Sequence, residues 1–382
     1  MTPKQSKLLS AGFVAILFAA ALLFLALPVQ GFSETENRRL QAFPQWSWTS
    51  LQDKSFTDGI ERYISDHFPF RDQWVALKSR IEQLRLQQEN NGIFKGKDGY
   101  LLETFLEPDY ATIAKYTDAI KTFVHKLPGV NIRFLLAPNS IGLNADKLPP
   151  FAEVYPEEKV NEYIGNQVNG QLDYLNGFDF LTAQANSEQP LYYRTDHHWT
   201  TSGAYQAYRA YAAQMGWVPL APEDFSIETV TDRFLGSFHT RSQFAGLTPD
   251  SIQVYQPKQP VASTMTVVDT GETFDSLYFP DFLQKKDKYS YFLGGVHALV
   301  QIRTDLPSGK ATNEKLLVIK DSYAHSSIPF LTQHVAEIDV IDIRYYNGSL
   351  ASYVQQNGIT DVLLLFNTST FVENTDLIKF KR

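Results

Sequence analysis

Apolar and polar segments alternate with a short period along the C-terminal part of the chain. The pattern predicts three strands separated by two helices: strand Lys315–Ile319, helix Ala324–His334, strand Ile338–Ile343, helix Leu350–Asn357 and strand Asp361–Phe366. Strands and helices that alternate at this spacing imply right-handed crossovers and a parallel sheet. The functional site of such a sheet lies beyond the carboxyl ends of its strands. The loops that follow the strands are therefore the first place to look for chemistry.

The middle of the chain is consistent with the same α/β class. An apolar run, Asn131–Ala137, predicts another buried strand. Other patterns predict helices over 58–90 (interrupted at Pro69), Ala111–Lys126, Glu157–Leu175 and Gly203–Met215, a hairpin over 92–102 and a short strand Phe178–Leu181. Residues 225–310 are polar and rich in β-branched side chains, so we interpret them as an insertion of strands and loops.

The N-terminus carries one long apolar segment. Leu8–Val29 comprises 22 residues without a charge, and a helix of that length would be about 33 Å long, enough to cross a membrane. Because the segment is longer than the apolar part of a cleaved signal peptide, we expect a retained anchor with a cytoplasmic N-terminus. The predicted domains are a tail and anchor (1–31), an extended arm and helix (32–102) and an α/β domain (103–382).

Composition narrows the chemistry further. The 382 residues include no cysteine, which removes disulfides, thiolate zinc sites, iron–sulfur clusters and cysteine nucleophiles. The formal net charge is −8, so nucleic acid is not an expected partner. Nothing in the composition calls for a cofactor.

One serine stands where a nucleophile would be well placed. Ser322 follows the predicted strand Lys315–Ile319 and precedes a predicted helix, so the first helical N–H groups would face an oxyanion formed beside it. The alternative is a serine that only caps the helix.

A base and its orienting acid are suggested by Asp196 and His198. Two residues apart on an extended chain they share a face, with Cα atoms about 6.6 Å apart, so the carboxylate could hold the imidazole while the other ring nitrogen meets the serine. His197 would then point to the opposite side. Two alternatives stay open: a metal site built on Asp196, His197 and His198, or a helix start capped by Thr200 or Ser202.

Four further residues are weaker candidates for the substrate or oxyanion site. Asn139 and Asn367 follow apolar strands, and either amide could complete an oxyanion hole, although asparagine is also an ordinary turn residue. Arg344 could hold an anion or pair with Asp342. Tyr323 follows the candidate serine.

An ordered set of motifs resembles the DHHW protein family. The set comprises Glu36-Asn37-Arg38-Arg39-Leu40, Asp66-His67-Phe68-Pro69-Phe70-Arg71-Asp72, Asp196-His197-His198-Trp199, Tyr291-Phe292-Leu293-Gly294-Gly295, Lys320-Asp321-Ser322-Tyr323 and Asp342-Ile343-Arg344-Tyr345-Tyr346. That family is similar to the SGNH-hydrolase-like proteins that O-acetylate alginate and cell-wall polysaccharides. The resemblance implies an SGNH-like parallel sheet sandwiched by helices, with Ser322 as nucleophile, His198 as base and Asp196 as orienter. We expect no metal at this site, because no further pair of ligands has a spacing typical of zinc.

The resemblance also implies a function. We expect a membrane-anchored, extracytoplasmic serine O-acyltransferase, most simply an O-acetyltransferase, that modifies a cell-envelope polysaccharide. Its acyl donor would come from a membrane-bound O-acyltransferase partner. The alternatives are a carbohydrate esterase that uses the same triad, a non-catalytic polysaccharide-binding or assembly protein, and an Asp/His metal hydrolase.

Overall fold

The computed structural model describes residues 2–33, 38–85, 87–184, 189–307 and 314–382. Glu36 and Asn37 of the first family motif lie outside the described residues. Contacts divide the chain into two units. The N-terminal unit contains the chain up to Gln87 together with Thr240–Gly246, and the main unit contains Gln88–His239 and Leu247–Arg382. The domain limits predicted at residues 31 and 102 stay predictions.

The N-terminal unit is built from short elements around one long helix. Its elements are α1 (Pro3–Ala26), β1 (Phe32–Ser33), β2 (Arg38–Arg39), α2 (Trp48–Gln52), α3 (Ser55–Asp66) and α4 (Arg71–Leu84). Helix α1 begins where the Thr2 hydroxyl accepts a hydrogen bond from the Gln5 N–H. It ends at Ala26, before the apolar segment does, since a helix does not continue through Pro28.

Helices α3 and α4 confirm the predicted interruption at Pro69, although the second helix ends before residue 90. The predicted arm, which begins at residue 32 and precedes the helix predicted over 58–90, is extended only in part, because α2 and the start of α3 lie within it.

The described residues from Gln88 onward form thirteen strands and nine α-helices. One of the helices, α10, begins in the main unit and ends within Thr240–Gly246. The strands are β3 (Glu89–Asn90), β4 (Ile93–Lys95), β5 (Leu101–Glu103), β6 (Asn131–Ala137), β7 (Asp173–Asn176), β8 (Phe225–Phe234), β9 (Asp250–Pro257), β10 (Ser263–Val267), β11 (Glu272–Phe274), β12 (Leu299–Thr304), β13 (Lys315–Lys320), β14 (Glu337–Asp342) and β15 (Asp361–Asn367). The helices are α5 (Tyr110–His125), α6 (Ser140–Leu143), α7 (Glu157–Val168), α8 (Gly177–Leu181), α9 (Thr201–Met215), α10 (Ser237–Ser242), α11 (Ile328–Leu331), α12 (Leu350–Gln356) and α13 (Thr368–Glu373).

Eight strands form the central sheet, in the order β11-β10-β12-β14-β13-β15-β6-β7. The five strands from β14 to β7 are parallel, whereas β12, β10 and β11 extend the sheet in antiparallel fashion. The predicted insertion therefore supplies the three antiparallel strands at one end of the sheet, and it also forms the separate two-stranded sheet of β8 and β9. The parallel strands place the loops after β6, β13 and β15 at one edge.

Helices cover both faces of this sheet. Side chains alternate along β13, where Leu316 and Val318 belong to one apolar cluster and Leu317 and Ile319 to the other. Helix α9 packs in the first cluster, and helices α5 and α7 pack in the second. A buried strand with apolar side chains on both faces requires cover on both. The predicted parallel sheet sandwiched by helices is confirmed.

Two element predictions are wrong at the sheet edge, and a third is wrong after the central strand β13. The helix predicted over Glu157–Leu175 ends at Val168, and a strand, β7, follows it. Gly170 has a φ of 73°, a left-handed conformation that terminates helices. The strand predicted at Phe178–Leu181 is helix α8, which begins where the Asn176 side chain accepts from the Phe178 N–H. The helix predicted at Ala324–His334 is a 3₁₀ helix, Ser322–Ser326, followed by α11.

Candidate functional site

The loop after β13 presents Ser322 without using it as a cap. Asp321 caps the 3₁₀ helix, accepting a hydrogen bond from the Tyr323 N–H at 2.9 Å. Its second oxygen accepts from the Asn367 N–H at 2.7 Å, which ties the ends of β13 and β15 together. Burial raises the pKa of Asp321. Asp321 and Tyr323 are buried, whereas Ser322 between them is half-buried, so its hydroxyl is available for another role.

A bent loop carries Asp196 and His198. Tyr192 and Trp199 form a bridge at the base of the loop, and the carboxylate of Asp250 accepts hydrogen bonds from the N–H groups of Arg194 and Thr195. The His198 N–H donates to Asp196 Oδ1 at 3.0 Å, which is the local bond that defines an Asx turn. The segment is therefore a turn and not the extended chain that the sequence interpretation assumed.

The structure brings the three predicted side chains together. His198 Nδ1 lies 2.6 Å from Asp196 Oδ1, and His198 Nε2 lies 2.8 Å from Ser322 Oγ. When a carboxylate faces Nδ1, the ring proton sits on that nitrogen, which leaves Nε2 free to accept from the hydroxyl. The arrangement has the contacts of a Ser–His–Asp triad, in which the base can remove the proton of the nucleophile.

Asp196 is held on both of its oxygens. Its Oδ2 accepts from the Ser237 N–H at 2.7 Å. Burial alone would raise the pKa of Asp196, but the neighbouring imidazoles of His197 and His198 and the bound N–H outweigh burial and keep that pKa below its usual range. The carboxylate therefore stays ionised, as an orienter of histidine must.

Backbone at Gly236 approaches Asp196 closely. A Cβ atom added there would lie 2.3 Å from both Cβ and Oδ2 of Asp196, far inside van der Waals contact. Only glycine fits this position while Asp196 keeps its place.

His197 does not point away from His198, so that prediction is wrong. The two ring centroids are 3.7 Å apart, and His197 Nδ1 lies 2.6 Å from Ser237 Oγ. The reason is the turn, because side chains alternate in direction only along an extended chain.

The structure bears on the two alternatives for this segment, a metal site and a capped helix start. Ligand atoms of Asp196, His197 and His198 lie within 4.8 Å of one another, so these three residues could hold a metal ion. In the observed arrangement, however, His198 Nδ1 already contacts Asp196. The capping alternative also has a structural counterpart, since Thr200 Oγ1 accepts from the Gly203 N–H and caps α9. Capping by Thr200 and the triad contacts coexist.

Tyr289 completes the site, and sequence reasoning missed it. Its ring stacks on the imidazole of His198 with centroids 3.6 Å apart and an interplanar angle of 12°. Its hydroxyl donates to the Ser322 carbonyl at 3.3 Å and contacts Ser326 Oγ at 3.1 Å. Tyr289 belongs to a 3₁₀ helix, Lys288–Tyr291, of the insertion. The one available signal was its position two residues before the motif that starts at Tyr291.

The four weaker candidates all bond to groups other than Ser322. Asn139 donates to Ser369, and Asn367 caps α13 while its amide donates to the Ala137 carbonyl at 3.4 Å. Arg344 forms two hydrogen bonds with Asp342, of 2.8 and 2.7 Å, as its alternative interpretation held. The Tyr323 hydroxyl donates to the His197 carbonyl. Their predicted part in an oxyanion or substrate site stays a prediction.

Behind Ser322, a buried ion pair joins the ends of β13 and β14. Lys320 Nζ lies 2.8 Å from Asp342 Oδ2 and 2.7 Å from His325 Nε2. Burial lowers the pKa of Lys320, while burial and the ammonium together keep His325 neutral by lowering its pKa well below the usual value. A neutral imidazole accepts the hydrogen bond from the ammonium, so the network is satisfied.

Comparisons with known proteins agree with this fold. Residues 157–341 match the family model described as DHHW protein. No curated protein matches the sequence. A crystal structure of a DHHW family protein from Eubacterium siraeum is similar, with a TM-score of 0.65, 26% identity, and coverage of 76% of this chain and 96% of that one.

A second similar structure shares the fold at lower identity. Bacillus cereus PatB1, solved with a sulfonyl adduct, has a TM-score of 0.64 and 21% identity over 76% of this chain and 98% of its own. PatB1 has also been solved in a second structure, with a TM-score of 0.63 and 22% identity. The chain has an SGNH-like fold, and its resemblance to the DHHW protein family is confirmed.

Proposed function

We propose that the protein is a serine-dependent O-acyltransferase in which Ser322, His198 and Asp196 form the catalytic triad. The observation that carries the proposal is the continuous chain of short contacts, 2.6 Å from Asp196 to His198 and 2.8 Å from His198 to Ser322. Ser322 is half-buried, whereas His198 and Asp196 are buried, so of the three residues the serine is the one that an ester could approach from solvent.

The chemistry balances with these three residues. Ser322 gives its proton to His198 Nε2 as its Oγ attacks the acyl carbonyl of a donor ester. The acyl–oxygen bond of the donor then breaks, and the leaving alcohol takes the proton from His198. In the second half, an acceptor hydroxyl gives its proton to His198 and attacks the acyl carbonyl. The bond between that carbonyl and Ser322 Oγ breaks, and His198 returns the proton to Ser322. Asp196 stays ionised and stabilises the imidazolium in both halves.

We infer the substrate from the family resemblance. The acyl group is most simply acetyl, and the acceptor is a hydroxyl of a cell-envelope polysaccharide, outside the membrane to which α1 anchors the chain. Helix α1 is long and apolar enough to span a bilayer, and none of its Lys4–Ala26 segment is buried. A membrane-bound O-acyltransferase partner would deliver the acyl group. If water replaced the sugar hydroxyl, the same triad would act as an esterase.

Covalent labelling tests the triad. The full chain in detergent is treated with phenylmethanesulfonyl fluoride, and the modified peptide is identified by mass spectrometry. We expect the label on Ser322 with loss of fluoride, slow labelling after His198→Gln, and none after Ser322→Ala. Ser327→Ala is the matched control, because Ser327 is a buried serine of the same loop whose hydroxyl bonds to nothing in the described part of the chain. Folded protein that carries no label on Ser322 contradicts the proposal and favours the non-catalytic alternative.

Product analysis separates transfer from hydrolysis. The full chain is incubated with 4-nitrophenyl acetate, with and without oligosaccharides of neutral and acidic sugars. Transfer predicts an oligosaccharide that has gained one acetyl group in a reaction that needs Ser322. Release of acetate alone, unchanged by any oligosaccharide, identifies an esterase.

A further inference from the structure

The N-terminal unit exposes an unusual number of large apolar side chains. Outside α1, ten of them lie between residues 43 and 81: Phe43, Trp46, Trp48, Leu51, Ile64, Phe68, Phe70, Trp74, Leu77 and Ile81. Scattered exposed leucines are ordinary, but six exposed aromatic rings in so short a stretch mark a surface that binds something.

Helical spacing aligns part of this surface. Trp74, Leu77 and Ile81 of α4 are separated by three and four residues, so they project from one face of the helix. Trp46 and Trp48 contact each other with ring centroids 5.3 Å apart. The exposed apolar side chains therefore occur in groups. We call the ten residues given above, six aromatic and four aliphatic, the aromatic surface.

The end of α1 packs into the same unit. Phe24, two residues before the end of α1, contacts Tyr63 of α3 edge-on, with ring centroids 6.0 Å apart. Phe43 also contacts Tyr63 edge-on, with ring centroids 5.3 Å apart. Leu27, Phe68 and Phe70 line a common cleft of about 570 Å³ with Phe24. Helix α3 and the turn before α4 are thus fixed beside the last turn of the helix that spans the bilayer, where hydrocarbon gives way to headgroups.

We propose that the aromatic surface is embedded in the headgroup boundary of the phospholipid bilayer that α1 crosses. Tryptophan and other amphipathic rings prefer this boundary, and amphipathic helices lie in it with their apolar face toward the acyl chains. The proposal rests on the membrane anchor of the proposed function and gives the bilayer, not a protein, as the partner of this surface. The N-terminal unit would then bind the membrane through the aromatic surface as well as through α1.

The tryptophans of the chain make the proposal testable. Three of the five tryptophans are Trp46, Trp48 and Trp74 on the aromatic surface, the other two are Trp199 and Trp217 in the main unit, and α1 contains none. The full chain is reconstituted into phosphatidylcholine vesicles, first without and then with bromine on the upper part of the acyl chains. Brominated lipid should remove roughly half of the tryptophan fluorescence, because interfacial rings lie within reach of the bromines.

Variants identify the rings that respond. Replacing Trp46, Trp48 and Trp74 with phenylalanine should abolish quenching by brominated lipid, whereas the matched control Trp217→Phe should keep it. A variant with only Trp46 and Trp48 replaced tests α4 by itself, and it should still show quenching of Trp74. Loss of quenching in that variant overturns the embedding of α4.

Vesicle flotation separates the two parts of the proposal. Protein that floats with vesicles but shows no quenching by brominated lipid has an anchor and a surface that faces water or another protein, which overturns the proposal. Protein that does not float lacks the anchor, and the proposal fails with it. Neither result bears on Ser322, whose labelling is read independently.

Discussion

Replacing Gly236 with alanine perturbs the triad without altering any of its side chains. The new Cβ would lie 2.3 Å from Cβ and Oδ2 of Asp196 and 2.6 Å from its Cγ. Because the contact is with the rigid part of a short, buried side chain, no rotation of a flexible end relieves it. Asp196 must shift, and the shift stretches its 2.6 Å contact with His198 and its 2.7 Å bond from the Ser237 N–H.

The size of the effect follows from what the carboxylate does. In serine hydrolases, loss of the orienting carboxylate costs about 10⁴-fold in kcat. Displacement is less severe than removal, so we expect Gly236→Ala to lower the rate by about 10²- to 10⁴-fold. Over-packing should also destabilise the fold by about 1–3 kcal/mol.

The assay is the rate at which phenylmethanesulfonyl fluoride labels Ser322, measured together with the thermal unfolding midpoint. Gly165→Ala is a matched control, because its Cβ would lie 2.6 Å from the Tyr174 ring at the far edge strand. That variant should lose stability and keep its labelling rate. A folded Gly236→Ala protein that labels Ser322 at the rate of the original would refute the orienting role of Asp196.

Two further predictions concern residues around the triad. Tyr289→Leu removes the ring that stacks on His198 and should lower kcat for 4-nitrophenyl acetate about tenfold with less change in KM, whereas Tyr289→Phe keeps the ring and should restore most of the rate. Loss of rate in both variants alike would contradict a stacking role. Burial raises the pKa of Glu157 to about 8 from its ordinary 4.5. The folded protein therefore holds a proton that the unfolded chain releases, so stability should fall as pH rises between these values, by up to about 1.4 kcal/mol per unit. In Glu157→Gln the thermal unfolding midpoint should fall less steeply with pH. An unchanged dependence of the midpoint on pH would contradict the raised pKa of Glu157.

The central strands could be predicted because buried parallel strands leave a clear pattern. Asn131–Ala137 has the predicted limits. The predicted strands at Lys315 and Asp361 are each one residue shorter than the observed strands at the C-terminal end, and the strand predicted at Ile338 is displaced by one residue at both ends. Each of these strands contributes buried apolar side chains to both faces of the sheet, which is the pattern typical of a buried parallel strand. Local sequence alone determines such elements.

The edge of the sheet lacks that signal. Strand β7 reads Asp-Tyr-Leu-Asn, and only Leu175 within it is buried. Its conformation depends on pairing with β6 and on Gly170, which ends the preceding helix. The neighbouring apolar run Phe178–Leu181 looks like a strand but forms a helix, because Asn176 caps its first turn. Tertiary pairing and a single cap outweigh hydrophobic pattern here.

The triad was predicted through a geometry that the protein does not use. The extended chain would bring Asp196 and His198 to one face, and the structure brings them together through a turn in which the His198 N–H binds the Asp196 carboxylate. A spacing of two residues satisfies both arrangements, because the Asx turn is itself a contact between residue i and the N–H of residue i+2. The site residues that lie far along the chain from this turn could not be found from spacing. Gly236 and Tyr289 reach Asp196 and His198 only after the insertion has folded against the sheet, so no local spacing could have pointed to them.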